Sequence, residues 1–589
     1  MRVGLILLGT LAALALMGGG IFPWTLQVTA AVLLLACVFA VRAGTGPNRG
    51  LAWAAAALVA LLVLSVVPLP AAVATHLPDP RGTQNLRAAG AVQGLAELKL
   101  GSDGQPWFSL TRNRAGTLRA ILLIVAAFAA AALASRLGPS RRRDFLRGLV
   151  ALGVALAVAG YLSQWVWPQG KRIWWTFDVA RGSPVACFVN RNHFGGFVAM
   201  LCPVAFVLAA DAVRGGRRLE SLATVGAAAV LVLACLMSLS RGAWIALAAG
   251  MSVTVVLQET MRFDRRRLPV LAASVALAAL VAGAIAVGAP EHFKERIRTL
   301  RQLPSTESAQ TRFQEWRDGL RVLPHYAWIG AGANAFRSVY PGYRLSTARA
   351  HADFSENEYI QIPIEGGLLG VGAIAVLAWR VRRRWRDAAR EGEGTEDAVP
   401  LAVLGALTVV AVHALFDFAL RIPLYALVVA ALTGLMLTPP KTAAAAPDPR
   451  RGGYNRLALA GLGIVLAVAV FGRSSVHTRD APDEVARASL PEARSMLIWS
   501  PTDWQGWYRL GALVLENRPV NGLPLAETCF KMAADYDPQY YVLWNRLCLV
   551  RLGLGDRAGA RDAYRRLKSL RSWVSIPEME AEPSRPGAP

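Results

Sequence analysis

Charged residues are scarce in this chain, because Asp, Glu, Lys and Arg make up only 17% of its 589 residues, whereas 54% are hydrophobic. Soluble domains carry about a quarter charged residues. Runs of about 20 apolar residues recur along the sequence, and each is long enough to cross a bilayer as a helix. The composition therefore predicts an all-α polytopic membrane protein of about 12–13 transmembrane helices.

Common catalytic motifs are also missing. The chain contains no GxxxxGK[ST], HExxH or GxSxG pattern, so nucleotide-dependent chemistry has no visible site. The six cysteines are scattered without a CxxC pair or zinc-ligand spacing, and neither a metal nor a cofactor is predicted. The sequence leaves open whether Cys529 and Cys548 form a disulfide.

About thirteen apolar runs are predicted to span the membrane. They lie near 3–22, 24–41, 51–69, 116–135, 146–167, 193–213, 219–239, 242–257, 268–289, 360–379, 399–416, 422–438 and 457–472.

Six arginine-rich segments separate these runs and predict their orientation. Positive residues are retained in the cytoplasm, so all six are predicted to be cytoplasmic. This placement also accounts for the net charge of +24, and nucleic-acid binding is not predicted. The alternate connections then face outward, among them 70–115, 168–192, a large loop at 290–359 and the tail after 473. The six segments are 42–49, 140–147, 214–218, 262–267, 380–390 and 449–456.

The C-terminal part of the chain divides into four predicted pieces after a transmembrane domain at 1–438. These are a flexible cytoplasmic linker, 439–456, a last span, 457–472, a soluble helical domain, 473–575, and a disordered end, 576–589. The helical domain resembles two tetratricopeptide units, which would bind a protein partner or simply form a helical cap. The first unit contains Trp507, Leu510, Gly511, Ala526, Phe530, Ala533 and Pro538, and the second contains Trp544, Leu547, Ala560, Tyr564 and Leu567.

Polar residues cluster at the predicted outer ends of helices. Arg241 lies between two apolar runs in SLSRGAW, where an arginine is costly unless it faces a polar cavity or an anion. A predicted helix begins at Asn190–His193, and the N–H groups at the start of a helix can bind a phosphate. Gly195–Gly196 permits close packing of this helix against its neighbours. Arg312 and Trp316 are spaced to share one helical face.

Two further clusters follow the large loop. Glu356–Tyr359 precedes a span that carries Glu365 about two turns into it. In HALFDFALRIP, Asp417 and Arg421 are predicted to pair with each other at a helix end.

The order of these motifs resembles that of the O-antigen ligase and polymerase superfamily of bacterial envelope glycosyltransferases. The resemblance covers roughly 100–440 and includes FSLTRNRAGTLRA, FVNRNHFGGFVAM, SLSRGAW, the R-x3-W…P…G-x-G-x3-F…YP series of the loop, SENEYIQIPIEGGLLG and HALFDFALRIP. It implies a multi-pass protein of the bacterial inner membrane whose active site and tail face the periplasm. The implied reaction passes a glycan from an undecaprenyl-diphosphate carrier to a glycan or lipid acceptor.

The resemblance also implies roles for particular residues. Arg241 and Arg312, with Arg191, Asn192 and His193, are expected to bind the diphosphate, because arginine pairs bidentately with phosphate. Many family members have a histidine before Asn-Asp-Tyr-Leu-Gln, but this chain has Glu356 there. Either Glu356 or the nearby His351 is therefore the candidate for activating the acceptor.

Two alternatives belong to other functional classes. A carrier of lipid-linked sugar would need charged residues near the middle of the bilayer, and the predicted spans are nearly free of them. A non-catalytic assembly scaffold would leave the arginine motifs without a role. Polymerase and ligase activity, the sugar, its linkage, the acceptor and the oligomeric state stay open.

Overall fold

The computed structural model describes residues 2–20, 22–42, 49–78, 80–97, 106–166, 172–174, 177–178, 183–261, 307–346, 352–390, 398–438, 460–461, 463, 488–517 and 521–580. Within these ranges the fold is α-helical, with two short antiparallel strand pairs. Strand β1, Leu69–Pro70, pairs with β2, Trp107–Phe108, and β3, Arg172–Ile173, pairs with β4, Phe177–Asp178.

Eleven helices in the described ranges coincide with predicted spans. Six of them, which begin at residues 114, 139, 191, 218, 241 and 358, are long and apolar enough to cross a membrane, and the other five are apolar but shorter. The prediction of an all-α polytopic membrane fold is confirmed. The predicted span 268–289, and 457–472 apart from three residues, lie outside the described residues. The eleven are α1 Arg2–Leu16, α2 Pro23–Arg42, α3 Arg49–Val66, α6 Arg114–Ala134, α7 Pro139–Val166, α8 Arg191–Arg214, α9 Arg218–Met237, α10 Arg241–Met261, α13 Glu358–Arg390, α14 Val399–His413 and α15 Pro423–Met436.

The other helices lie between or after the predicted spans. The predicted disordered end at 576–589 starts too early, because its first residues include a helical turn and a buried Ile576. These helices are α4 Ala71–Ala74, α5 Arg81–Glu97, α11 Glu307–Tyr326, α12 Phe336–Val339, α16 Leu490–Trp499, α17 Trp504–Asn517, α18 Gly522–Tyr536, α19 Tyr541–Gly553, α20 Arg557–Leu570 and α21 Pro577–Glu580.

Helix α8 lies in the centre of the membrane core, and 17 of its 24 residues are buried. Two glycines on it allow its neighbours to approach closely. A Cβ atom at Gly195 would lie 2.5 Å from Ser238 Oγ, and one at Gly196 would lie 2.5 Å from His413 Cε1. The close packing predicted for these glycines is confirmed, and it brings the start of α8 against the ends of α9 and α14.

The C-terminal helices form a second hydrophobic core. Helices α17 and α18 pack as one pair and α19 and α20 as another, with the predicted Trp507 and Phe530 buried between them. Ala88, Val92 and Leu95 of α5 belong to the same core, so the tail packs together with the predicted outward segment 70–115. The tetratricopeptide identity of the pairs stays a prediction. All six cysteines are buried free thiols, so Cys529 and Cys548 form no disulfide.

The large loop joins this second core through a buried ion pair. Arg344 Nη2 donates to both carboxylate oxygens of Asp537, at 2.9 and 3.1 Å, and both side chains are almost fully buried. Tyr536 Oη lies 3.2 Å from the carbonyl oxygen of Gln84. Three segments predicted to face outward, 70–115, 290–359 and the tail, therefore contact one another.

Two predicted cytoplasmic segments meet at the opposite end of the bundle. Glu220 pairs with Arg147 of one segment and accepts a hydrogen bond from Arg217 Nε of the other at 2.7 Å. Segments 140–147 and 214–218 thus lie on one side of the bundle, as their arginines predict.

Candidate functional site

Helix α11 brings Arg312 and Trp316 against the start of α13. Trp316 Nε1 donates to the carbonyl oxygen of Ser355 at 3.0 Å, and Arg312 forms an ion pair with Glu356. Both side chains reach adjacent residues, so the shared helical face predicted for them is confirmed. The ion pair is partly exposed, because 25% of the Arg312 side chain and 15% of the Glu356 side chain are accessible.

Arg241 is the first residue of α10 and lies beside Arg312. A Cβ atom at Gly242 would lie 3.0 Å from Phe416 Cβ, and the carbonyl oxygen of Phe416 accepts a hydrogen bond from Arg312 Nη1 at 3.2 Å. The two guanidinium groups are close enough for their positive charges to repel each other. Arg312 Nε has no hydrogen-bond partner among the described residues. The site therefore places two guanidinium groups, one of them paired with Glu356, at the start of α10.

Backbone strain is concentrated at the same place. Five non-glycine residues in the described ranges have positive φ, and three of them, Leu239, Asn334 and Glu356, lie at or beside the site. Such conformations cost about 1–3 kcal/mol each and persist where the surrounding structure holds them. Glu356, with φ of 50°, is therefore fixed in direction by its backbone as well as by Arg312.

Arg421 organises a buried polar network next to this site. Its Nη1 donates to Glu365 Oε2 at 2.8 Å and to Asn334 Oδ1 at 2.7 Å. Its Nε and Nη2 donate to the two oxygens of Glu358, at 3.2 and 3.1 Å. Glu365 also accepts the backbone N–H groups of Asn334 and Phe336. One guanidinium thus ties α13 to the large loop.

The predicted pairing of Asp417 with Arg421 is wrong. Asp417 Oδ1 lies 3.1 Å from His193 Nε2, and its Oδ2 lies 3.7 Å from His413 Nε2. Residues four apart face each other on a continuous α-helix, but here a 3₁₀ turn at Ala419–Arg421 intervenes. That turn directs Arg421 toward α13 and leaves Asp417 with the two histidines.

The carboxyl group of Asp417 is ionised despite its burial. Burial favours the neutral acid, but attraction to His193, His413 and Arg312 outweighs it and holds the pKa of Asp417 at about 2. The Asp417 carboxyl group thus links the ends of α8 and α14 through His193 and His413.

The other predicted site residues lie at different depths. Arg191 and Asn192 begin α8 and are half-buried, whereas His193 is buried against Asp417 and the ring of Phe418. His351 lies outside the described residues. Within the described ranges, no group of three or more His, Cys, Asp or Glu residues is arranged to hold a metal ion.

Sequence reasoning missed Asn334 and Arg112, which position the loop. Asn334 lies in the loop turn and donates to the carbonyl oxygen of Gly116 at 3.1 Å, while Asn113 Nδ2 donates back to the carbonyl oxygen of Asn334. Arg112 N donates to the carbonyl oxygen of Ala331 at 2.8 Å. The motif FSLTRNRAGTLRA contains Arg112 and Asn113, but nothing in its spacing indicates the loop residues that they contact.

Comparison with known proteins agrees with this geometry. The family model described as O-antigen ligase matches residues 226–375, a stretch that contains Arg241, Arg312 and Glu356. No curated protein matches the chain. The fold and site are those of a multi-helix membrane protein with an arginine-rich site at one end of its bundle. The match over residues 226–375 supports the resemblance of this chain to the O-antigen ligase and polymerase superfamily.

Proposed function

We propose that the chain transfers a glycan from an undecaprenyl-diphosphate carrier to a hydroxyl group of a glycan or lipid acceptor. The observation that carries this proposal is the adjacency of Arg241 and Arg312, with Arg312 Nε unpartnered in the described part of the chain. Two guanidinium groups that repel each other are stabilised by a multiply charged anion between them. The O-antigen ligase match over these residues supports a glycan-linked donor.

The proposed reaction is a substitution at the anomeric carbon of the donor. The acceptor oxygen forms a bond to that carbon while the bond from the carbon to the diphosphate oxygen breaks. The electron pair stays on the diphosphate, where Arg241 and Arg312 stabilise the developing charge. The proton of the acceptor hydroxyl passes to Glu356, whose direction is fixed by its strained backbone and by Arg312.

We also propose that this site and the C-terminal helices face the periplasm of a bacterial inner membrane. Two observations support this orientation. The large loop, segment 70–115 and the tail contact one another, so they share one side. The arginine-rich segments 140–147 and 214–218 meet at the other end, where cytoplasmic retention would place them.

The test is a transfer assay on purified protein in detergent with undecaprenyl-diphosphate oligosaccharide as donor. Arg241→Ala and Arg312→Ala are each expected to lower turnover by about 100-fold or more, as for other groups that stabilise transition-state charge. Arg383→Ala is the matched control, because Arg383 is exposed and lies in the arginine cluster at the other end of α13. Glu356→Gln is expected to lower turnover more than it weakens donor binding.

The outcomes separate the possibilities. A ladder of products from the donor alone identifies a polymerase, and a single transferred block that needs a second acceptor identifies a ligase. Normal turnover in Arg241→Ala removes Arg241 from the site. Folded wild-type protein that gives no product with either acceptor arrangement contradicts the proposal and favours the carrier or scaffold class.

A further inference from the structure

Helix α11 of the large loop runs alongside the first part of α13 instead of standing clear of it. Arg312 pairs with Glu356 just before α13 begins. One turn or two further along, a Cβ atom at Gly319 would lie 3.1 Å from Ile360 Cγ2. Beyond the end of α11, the carbonyl oxygen of Ala327 accepts the N–H of Leu368 at 2.8 Å. The contacts follow the same order along both segments, so α11 and the first part of α13 run parallel to each other.

A break in α13 receives the end of this segment. Gly367 has φ of 56°, which interrupts the helical hydrogen bonds around it. The freed carbonyl oxygens of Ile364 and Glu365 accept the N–H groups of Ala331 and Gly332, at 2.7 and 2.9 Å. Non-helical backbone at membrane depth is tolerated where protein groups satisfy it in this way.

Distance along α13 gives the depth of this contact. Leu368 precedes the arginine cluster at Arg380 by 12 residues (380 − 368), which is about 18 Å along a helix. The hydrocarbon core of a bilayer is about 30 Å thick. If the arginines mark one edge of that core, Leu368 and the loop residues bonded to it lie inside the opposite leaflet.

The side chains at this level are apolar and unusually exposed. Trp328 is 75% accessible and Ile329 54%, and they follow α11, on which Phe313 and Leu320 are each 52% accessible. Leu368 and Leu369 beside them are 56% accessible and belong to the apolar surface of a membrane-spanning helix. The exposed surface of the loop is thus continuous with a surface that lipid covers.

We propose that Trp328 and Ile329, the tip that follows α11, insert into the lipid leaflet adjoining the large loop. The loop predicted at 290–359 to lie outside the membrane is then anchored in it at this point. This lipid contact does not depend on which reaction the chain performs.

The experiment measures the surroundings of spin labels on the full chain in phosphatidylcholine–phosphatidylglycerol nanodiscs. Cysteine replaces Trp328, Ile329 or Leu345 in separate variants, and the six native cysteines are buried, so the label reacts at the introduced site. Collisions with oxygen, which dissolves in lipid, are compared with collisions with a water-soluble nickel complex. Leu345 is the matched control, an apolar loop residue that is 62% accessible and adjoins the tail.

Labels at Trp328 and Ile329 are expected to have an oxygen-to-nickel collision ratio several times that at Leu345. Ratios equal to that of Leu345 at both positions would overturn the proposal and place the tip in water. If Trp328→Cys does not fold, Ile329→Cys reports on the same turn and decides the question alone. A high ratio at all three positions, Leu345 included, also overturns it, because the loop would then lack a distinct lipid-facing tip.

Discussion

Arg421 compensates the buried negative charge next to the candidate site. Glu358 and Glu365 are each at least nine-tenths buried, and the single guanidinium of Arg421 contacts both. A buried carboxylate without a partner is strongly destabilising, so these three residues are interdependent. The same guanidinium fixes Asn334, whose backbone holds the loop turn against Glu365.

Replacing Arg421 by methionine is expected to destabilise the protein by about 3–5 kcal/mol, because two buried carboxylates lose their partner. The measurement is the thermal unfolding midpoint of purified protein in detergent. Arg421→Met combined with Glu365→Gln should recover part of the loss, since one of the two charges is then removed. An unfolding midpoint equal to that of wild type in Arg421→Met would show that the network contributes little.

The sequence predicts single site residues better than their partners. Arg241 and Arg312 are visible because an arginine beside an apolar run, or an arginine and a tryptophan on one helical face, has a local signature. The contacts of Arg421 join residues 334, 358 and 365, which are 87, 63 and 56 residues away in the chain. No local spacing indicates these contacts. The sequence therefore predicts Asp417, only four residues away, as the partner of Arg421, and that prediction is wrong.

At the scale of elements, the break in α13 is what allows the loop to approach the bundle. A Cβ atom at Gly367 would lie 2.6 Å from Gly330 N and 2.7 Å from the carbonyl oxygen of Trp328. Gly367 also has positive φ, a conformation that alanine adopts only at a cost. Its neighbour Gly366 meets nothing within 4 Å and has no such backbone constraint.

Gly367→Ala is therefore expected to lower stability by at least about 1–3 kcal/mol, through strain and through the clash with the loop backbone. Gly366→Ala is the matched control and should unfold close to the wild-type temperature. Both unfolding midpoints are measured in the same detergent, and glycan transfer is measured on the folded fraction. Equal midpoints for the two variants would contradict the close approach at Gly367.

Hydropathy predicts the helices themselves but not this break. Eleven predicted spans correspond to helices, because the length and the apolar content of each run can be read directly from the sequence. A single glycine with positive φ leaves the hydropathy of IPIEGGLLG unchanged, so the interruption at Gly367 cannot be read from the pattern. Segment 70–115 likewise contains no apolar run long enough to be a span, and the core that α5 shares with the tail depends on helices much later in the chain.

At the scale of the whole molecule, the C-terminal helices and the large loop are joined across a long stretch of sequence. Asp537 follows α18, and Arg344 follows the 3₁₀ turn of the loop at Tyr340–Gly342. Two effects act in opposite directions on the Asp537 carboxyl group. Burial raises its pKa to about 6, and the attraction of Arg344 offsets only part of that rise.

This balance predicts a pH dependence of stability. Between about pH 4 and pH 6 the folded protein holds a proton on Asp537 that the unfolded chain releases, so stability falls as the pH rises through this window. A shift of about two pKa units corresponds to at most about 3 kcal/mol. The unfolding midpoint of wild type minus that of Asp537→Asn should therefore decrease from pH 4 to pH 6 and then level off.

Asp562→Asn provides the control, because Asp562 is exposed on α20 and should show no such trend against wild type. If the difference between wild type and Asp537→Asn instead grows as the pH rises from 4 to 6, the ion pair with Arg344 outweighs burial. The carboxylate would then be the form that fastens the tail to the loop. If the difference between wild type and Asp537→Asn falls, the protonated Asp537 carboxyl group stabilises the contact between the tail and the loop more than the carboxylate does. Acidification then strengthens the contact between the tail and the loop that carries Arg312.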